Sequence, residues 1–147
     1  MGQLNLPLNA LVYVDTAVLI YSVEANPNYR ELLRPLWLKL KASELKVISS
    51  ELSLMEVLIV PLRNNDTALV NDYEQLMLEG DIQLIPISQT ILREAARLRA
   101  TTNLRTPDAI HAATAMNTDC TLFLSNDRGF RAIPNLSAII LQDVLES

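Results

Sequence analysis

Histidine, cysteine and glycine are all scarce in this chain of 147 residues, and each scarcity removes a class of chemistry. With a single cysteine, Cys120, no internal disulfide can form, and a reducing, cytoplasmic setting is expected. Cys120 opens an apolar run and reads as a small core residue. With a single histidine, His111, no Ser/His/Asp triad is supported, because that ring would be its only base. The glycines are Gly2, Gly80 and Gly129, so no Gly-x-Gly-x-x-Gly or P-loop phosphate cradle can be assembled, and no flexible linker either. Long apolar runs are also missing. A membrane span needs roughly 18 uninterrupted apolar residues, and the longest candidate, Leu54 to Leu62, is broken by Glu56 and Pro61. The opening Met-Gly-Gln-Leu-Asn-Leu-Pro-Leu-Asn lacks the basic region and apolar core of a signal peptide, so no targeting segment and no membrane association are expected. Positive charge is short as well. Twelve Lys and Arg against seventeen Asp and Glu give a net charge of −5. That argues against holding nucleic acid by bulk charge, but leaves room for a nuclease with a local basic rim, part of whose negative charge a bound metal would cancel.

What is present is a chain of one-domain length with half its residues hydrophobic, enough for a sizeable core. It has no internal repeat and no low-complexity tract, so residues 1–147 read as one domain. Short apolar runs at Leu11–Val14, Lys46–Ile48, Ile82–Ile85, Thr121–Leu124 and Ala138–Leu141 read as buried strands. Helical patterns lie between them, at roughly Asn28–Ser43, Glu51–Leu62, Thr67–Leu78, Gln89–Thr101 and Pro107–Asn117. Ser88 is placed to cap the helix that begins at Gln89, and Thr106 to cap the next, with Pro107 at the first helical position. Gly80 stops the helix before it. Alternating strands and helices imply an α/β fold, a three-layer α/β/α arrangement on a parallel sheet of about five strands.

Four acids carry the functional argument. Asp15 ends the run Leu-Val-Tyr-Val. Glu56 interrupts Leu-Ser-Leu-Met-Glu-Val-Leu-Ile-Val. Asp108 follows Thr106-Pro107 at a helix start, and Asp127 closes Thr-Leu-Phe-Leu-Ser-Asn. Ligands of open parallel sheets bind at the carboxyl ends of the strands. Asp15 and Asp127 fall at two such ends, and Asp108 and Glu56 lie early in helices that can reach the same edge. Glu56 is expected beside the core, because Leu52, Met55 and Ile59 share its approximate helical face. Singly, each acid reads as a turn, cap or solvated residue. Together they are carboxylates aimed at one point, and a divalent cation compensates such a group. Metal-assisted hydrolysis of phosphate esters is the matching chemistry.

The same residues resemble the PIN-domain nucleases. The resemblance rests on Val14-Asp15-Thr16-Ala17-Val18-Leu19-Ile20-Tyr21, on Ser49-Ser50 with Glu56 downstream, on Thr106-Pro107-Asp108-Ala109-Ile110-His111-Ala112-Ala113-Thr114-Ala115, and on Ser125-Asn126-Asp127-Arg128-Gly129-Phe130. The similarity is nearest to the single-domain, VapC-like toxins of toxin–antitoxin modules. It implies a divalent-metal-dependent endoribonuclease, Mg²⁺ or Mn²⁺ held by Asp15, Glu56, Asp108 and Asp127, an RNA substrate, a cognate antitoxin partner and a homodimer. One position departs from the pattern. The family often has asparagine two residues after the first aspartate, where this chain has Ala17. That keeps open a catalytically weak RNA-binding or regulatory module on the same fold. An aspartate-nucleophile phosphatase would need a second aspartate at Ala17 and ranks lower.

Around the acids, the hydroxyls of Thr16 and Ser125 either hold a carboxylate or a metal-bound water, or make local cap and turn bonds. Arg105 and Arg128, each within three residues of a proposed ligand, are either phosphate contacts or solvated charges. Arg93, Arg97 and Arg99 fit solvated helix charges. His111, on roughly the same helical side as Asp108, is a ligand, a proton shuttle or, by preference, a packed helix residue. Tyr29, Leu33, Trp37 and Leu40 form a stripe that is core or dimer surface. Apolar positions in Asn28–Ser43 and Glu51–Leu62 exceed what one helix face needs, which favours a homodimer.

Overall fold

The computed structural model describes residues 2–147. Five parallel strands form one sheet: β1 (Leu11–Val14), β2 (Lys46–Ser50), β3 (Gln83–Ile85), β4 (Leu122–Ser125) and β5 (Ala138–Ile140), in the order β3-β2-β1-β4-β5. The chain begins in the centre, builds outward through β2 and β3, and returns to place β4 on the other side of β1. The strand order therefore reverses between β1 and β4, which pair in register as Val12 with Leu122, Tyr13 with Phe123 and Val14 with Leu124. A crevice opens at the carboxyl ends of the strands at such a switch point.

Alternation along the strands fills both faces. Val12, Val14, Val47 and Leu124 enter one core, with α1 (Thr16–Val23), α2 (Arg30–Lys41), α3 (Glu51–Arg63), α4 (Thr67–Glu74) and α7 (Leu141–Glu146) contributing to that side. Tyr13, Ile48 and Phe123 enter the other, under α5 (Gln89–Thr101) and α6 (Thr106–Asn117). That is the expected three-layer arrangement. In α6 the small side chains Ala109, Ala112, Ala113 and Ala115 are all fully buried, so the helix lies close over Tyr13 and Phe123. This close approach brings Asp108 and His111 to the sheet edge.

β1 spans Leu11–Val14 and α5 spans Gln89–Thr101 as their patterns predict, and the other four strand expectations differ from the observed spans by a residue or two. Ser88 caps α5 by accepting from the Ile91 N–H at 3.2 Å. Thr106 does not cap α6. Arg105 is the N-cap residue, with no side-chain bond, and the helix begins one residue earlier than expected. The expected helix Thr67–Leu78 is α4 followed by a π-helical turn, Gln75–Glu79, ended by Gly80. α1 and α7 have no counterpart in the sequence reading. Both are short and begin within two residues of a strand end, α1 after the single residue Asp15 and α7 with none between, so neither gives a helical pattern long enough to read. No glycine among the described residues has positive φ, and the left-handed turn positions fall to Asn9, Asn65 and Asn135 (φ 63°, 53° and 66°) and to Ala25, Ser43 and Asp119 (49°, 61° and 52°). No helix among the described residues is long and apolar enough to cross a membrane.

The apolar excess of α3 is only partly inside. Ser53, Val57 and Pro61 face the core. Met55 and Ile59, expected beside the core with Glu56, are 57% and 43% exposed, and Val60 and Leu62 are exposed too. The inward stripe runs through residues 53, 57 and 61, which puts residues 55 and 59 on the opposite side. Tyr29 and Leu33 are core, and Trp37 packs against them with its Nε1–H donated to Ser22 Oγ at 2.9 Å.

Candidate active site

Asp15, Glu56, Asp108 and Asp127 all line one cleft of about 230 Å³, together with Thr16, Ala17, Tyr21, His111 and Asn126. It sits at the switch point. The Asp15 N–H donates to Leu124 O at 3.2 Å, which ties the ends of β1 and β4 together. Asp15 is also the N-cap of α1: its Oδ1 accepts from the Val18 N–H at 3.2 Å. One short side chain thus turns the chain from strand to helix and presents a carboxylate to the cleft. Asp127 is held similarly, its Oδ1 accepting from the Gly129 N–H at 2.8 Å. A Cβ at Gly129 would come within 3.1 Å of that same oxygen.

The electrostatics differ from one acid to the next. Asp15 is only 7% exposed. Burial raises its pKa; the Ser125 hydroxyl, His111 and the Val18 N–H pull the other way, and Asp108 adds to the rise. Asp108 is also raised, by burial and then by the negative charge of Asp127, against the lowering influence of His111 and Arg105. Glu56 goes in the opposite direction. Burial pushes it up, but hydrogen bonds from His111 and Thr16 outweigh that and leave it below the ordinary range. Burial thus works against the charge of Asp15 and Asp108, while hydrogen bonding favours that of Glu56.

Among the described residues, no three Asp, Glu, His or Cys groups stand close enough to form a ready-made metal cage. The four acids come from four separate segments, the end of β1, α3, the first turn of α6 and the loop after β4, so the set is spread around the cleft. The donor chemistry still fits a hard cation: every carboxylate contributes oxygen, and Mg²⁺ is normally held through one or two carboxylates while keeping several waters. A closed cage of the kind zinc takes would not fit this set.

His111 lies deeper in the site than a packed helix residue would require. It is 3% exposed, its Nδ1 meets the Tyr13 hydroxyl at 2.7 Å, and its Nε2 meets Glu56 Oε1 at 2.9 Å and Thr16 Oγ1 at 3.1 Å. Thr16 donates to the same Glu56 oxygen at 2.7 Å. Beneath them Ser49 Oγ bonds Ser53 Oγ at 2.8 Å and donates to Val14 O at 2.6 Å. Tyr13 and Ser53 carried no functional signal in the sequence, since a tyrosine in an apolar strand reads as core, and Ser49 entered only through the family resemblance. The only available hint was a hydroxyl at each of these positions in segments that are otherwise apolar.

Ser125 accepts from the Asp127 N–H at 3.0 Å, a turn bond, while its hydroxyl also opposes the rise of Asp15. Asn126 donates to the hydroxyls of Tyr21 and Tyr29, at 3.2 and 2.9 Å, fixing the loop that carries Asp127. Arg105 lines a second recess, of about 520 Å³, that shares Asp108 and Asp127 with the cleft. Arg128 does not line either. Its guanidinium pairs with Asp143 at 3.0 Å and Glu146 at 3.7 Å, so it belongs to the packing of α7. Arg131 joins the same carboxylate. Arg99 is more than a solvated charge: it donates to Leu104 O at 3.2 Å and Thr106 Oγ1 at 2.9 Å and shapes the loop before α6.

Known structures share this architecture. VapBC2 of Rickettsia felis, solved bound to a DNA fragment from its promoter, matches 88% of this chain and 98% of its own at 16% identity and a TM-score of 0.69. A toxin–antitoxin complex from Klebsiella pneumoniae matches 87% of this chain and 95% of its own at 21% identity and a TM-score of 0.60. VapBC-5 of Mycobacterium tuberculosis matches 90% and 98% at 20% identity and a TM-score of 0.58. At these identities the likeness establishes the fold. No curated protein matches the sequence significantly. The PIN domain model, however, matches residues 12–136, a span that begins within β1 and takes in all four acids of the cleft. By that match the chain belongs to the PIN-domain family.

Proposed function

We propose that this chain, as one PIN-like domain, is a divalent-metal-dependent endoribonuclease and the toxin of a toxin–antitoxin pair. The observation that carries the reading is the meeting of Asp15, Glu56, Asp108 and Asp127 in one cleft at the switch point of a PIN fold. Asp15 and Asp108 would be the principal holders of Mg²⁺ or Mn²⁺, with Glu56 and Asp127 completing the site or holding its waters. When held there, such a cation would supply charge against the scissile phosphate and would lower the pKa of a water. Glu56, held below the ordinary carboxylate range, would accept hydrogen bonds from a water in the cleft. Arg105 supplies positive charge in the recess that shares Asp108 and Asp127, and its fork suits a phosphate of the RNA. The resemblance to VapBC assemblies supports an antitoxin partner, and the exposed apolar side chains of α3 support a homodimer. Both belong with a cytoplasmic protein.

Ala17 lines the cleft where PIN relatives often carry asparagine, and this favours a second reading: a module that binds RNA with little turnover. Structured RNA, the purified protein and Mg²⁺ or Mn²⁺ separate the two. Cleavage that stops on adding EDTA and is lost in Asp15→Asn, with melting retained, supports the nuclease. Binding without cleavage supports the second reading. Cleavage that persists in EDTA sinks the metal mechanism.

A further inference from the structure

We infer that Tyr13 and His111 are positioning residues for Glu56: the buried phenol donates to Nδ1, holds the imidazole in its Nε2–H tautomer, and so fixes which oxygen of Glu56 is left for the cleft. The inference rests on the proposed function only for the purpose of that free oxygen.

The proton count leads to it. An ionised carboxylate only accepts, so Glu56 Oε1 needs donors from both partners that approach it. Thr16 has one hydroxyl proton, and its shortest bond is to Glu56 Oε1, at 2.7 Å. The Thr16 oxygen, 3.1 Å from Nε2, is then an acceptor there. Nε2 therefore faces two acceptors, Glu56 Oε1 at 2.9 Å and Thr16 Oγ1, and must carry a proton. A neutral ring with a proton on Nε2 accepts at Nδ1. The atom facing Nδ1 is the Tyr13 hydroxyl at 2.7 Å, which is the donor to the neutral ring. Tyr13 is fully buried, stacked on Phe123 with ring centroids 5.1 Å apart, and cannot turn away. Burial, reinforced by the charge of Asp15, keeps its phenol protonated well above the ordinary range.

Both donors converge on Oε1, and no hydrogen bond among the described residues engages Oε2. A carboxylate with one oxygen tied by two donors has its plane fixed and the other oxygen available. An orienting partner on a ligand's far side is known to matter: its loss typically costs 10–100-fold in metal affinity or activity.

His111 is the only histidine, so histidine-selective ¹H–¹⁵N spectra of the metal-free protein report on this ring alone. At pH 8 the wild type should show a proton on Nε2 and none on Nδ1. A proton on Nδ1, or on both nitrogens, overturns the assignment. Tyr13→Phe keeps the ring stack and removes the donor. It should lose the single-tautomer pattern and bind Mn²⁺ roughly 10-fold more weakly, read directly by electron paramagnetic resonance without any substrate. Mn²⁺ bound equally by wild type and Tyr13→Phe refutes the positioning role and leaves the proposed function standing. No Mn²⁺ bound by the wild type refutes the proposed function instead, while the tautomer still decides the Tyr13–His111 assignment.

Discussion

Replacing Asp15 by asparagine and, separately, by alanine resolves the two duties this residue carries. It caps α1 through the Val18 N–H and holds a buried negative charge in the cleft. Asparagine keeps the cap and removes the charge; alanine removes both. The difference between the two variants therefore isolates the cap, about 1 kcal/mol for Asp or Asn replaced by Ala. In a domain of this size that corresponds to a melting temperature about 3–4 °C higher for Asp15→Asn. The difference between wild type and Asp15→Asn isolates the charge. The folded-state pKa of Asp15 is raised above its ordinary 3.8, chiefly by burial, so its ionised form is disfavoured by folding. The penalty is absent below 3.8, grows as pH rises through the raised folded value, and is complete above it. In metal-free buffer at neutral pH, Asp15→Asn should then be the more stable protein, by on the order of 1 kcal/mol, the usual size of gain when a functional site is relieved. The advantage should vanish as pH falls below 3.8. Added Mg²⁺ or Mn²⁺ should narrow the gap, since a ligand that binds only the native wild type stabilises it by mass action. Calorimetry in EDTA across pH, with and without metal, measures all of this. If Asp15→Asn is destabilised as much as Asp15→Ala, the charge is not under strain in the empty cleft, and the argument for a cation there fails.

Two further outcomes follow from the geometry. Arg105→Ala should raise the KM for RNA with the melting temperature nearly unchanged, while Arg128→Ala should leave cleavage intact and cost at most about 1 kcal/mol, because it breaks only partly exposed ion pairs with α7; equal kinetic effects would overturn this division of the two arginines. Light scattering should give twice the 16.4 kDa chain mass, and Ile59→Asp on the exposed side of α3 should shift it toward the monomer, whereas a wild type already monomeric at high micromolar concentration rules out the dimer.

The parts of this fold that were legible in the sequence are those where one local rule decides. Leu11–Val14 is apolar throughout because a central parallel strand is covered on both faces, and Ser88 marks a helix start because its hydroxyl accepts from Ile91. What was not legible depends on tertiary context. α3 is apolar nearly all round, so periodicity alone could not tell that Ser53 and Val57 face inward and Met55 and Ile59 outward. Ser53, a polar residue, takes the inward place because Ser49 below offers a hydroxyl partner at 2.8 Å. Arg128 lies one residue from Asp127 in the chain, yet its guanidinium pairs with Asp143, a partner that sequence proximity does not indicate.

The four acids were legible for a different reason. A carboxylate at the end of an apolar strand or inside an apolar helix is costly, so its presence signals a compensating partner. The partners themselves were hidden, because a hydroxyl or an imidazole within a core segment carries no comparable cost once it is bonded. Every buried side-chain nitrogen and oxygen among the described residues has a hydrogen-bond partner. A fully satisfied network of this kind fixes the orientation of the groups it holds. Glu56 is the group it holds here, 25% exposed on one side and tied by Thr16 and His111 on the other. Its lowered pKa is the result: the stability those bonds give is present at neutral pH and is lost as pH falls through the folded value, the opposite trend to Asp15. Two carboxylates of one cleft thus respond to acid in opposite directions. Glu56 is held on the ionised side by its bonds, whereas for Asp15 and Asp108 the proposed cation would be the counterpart.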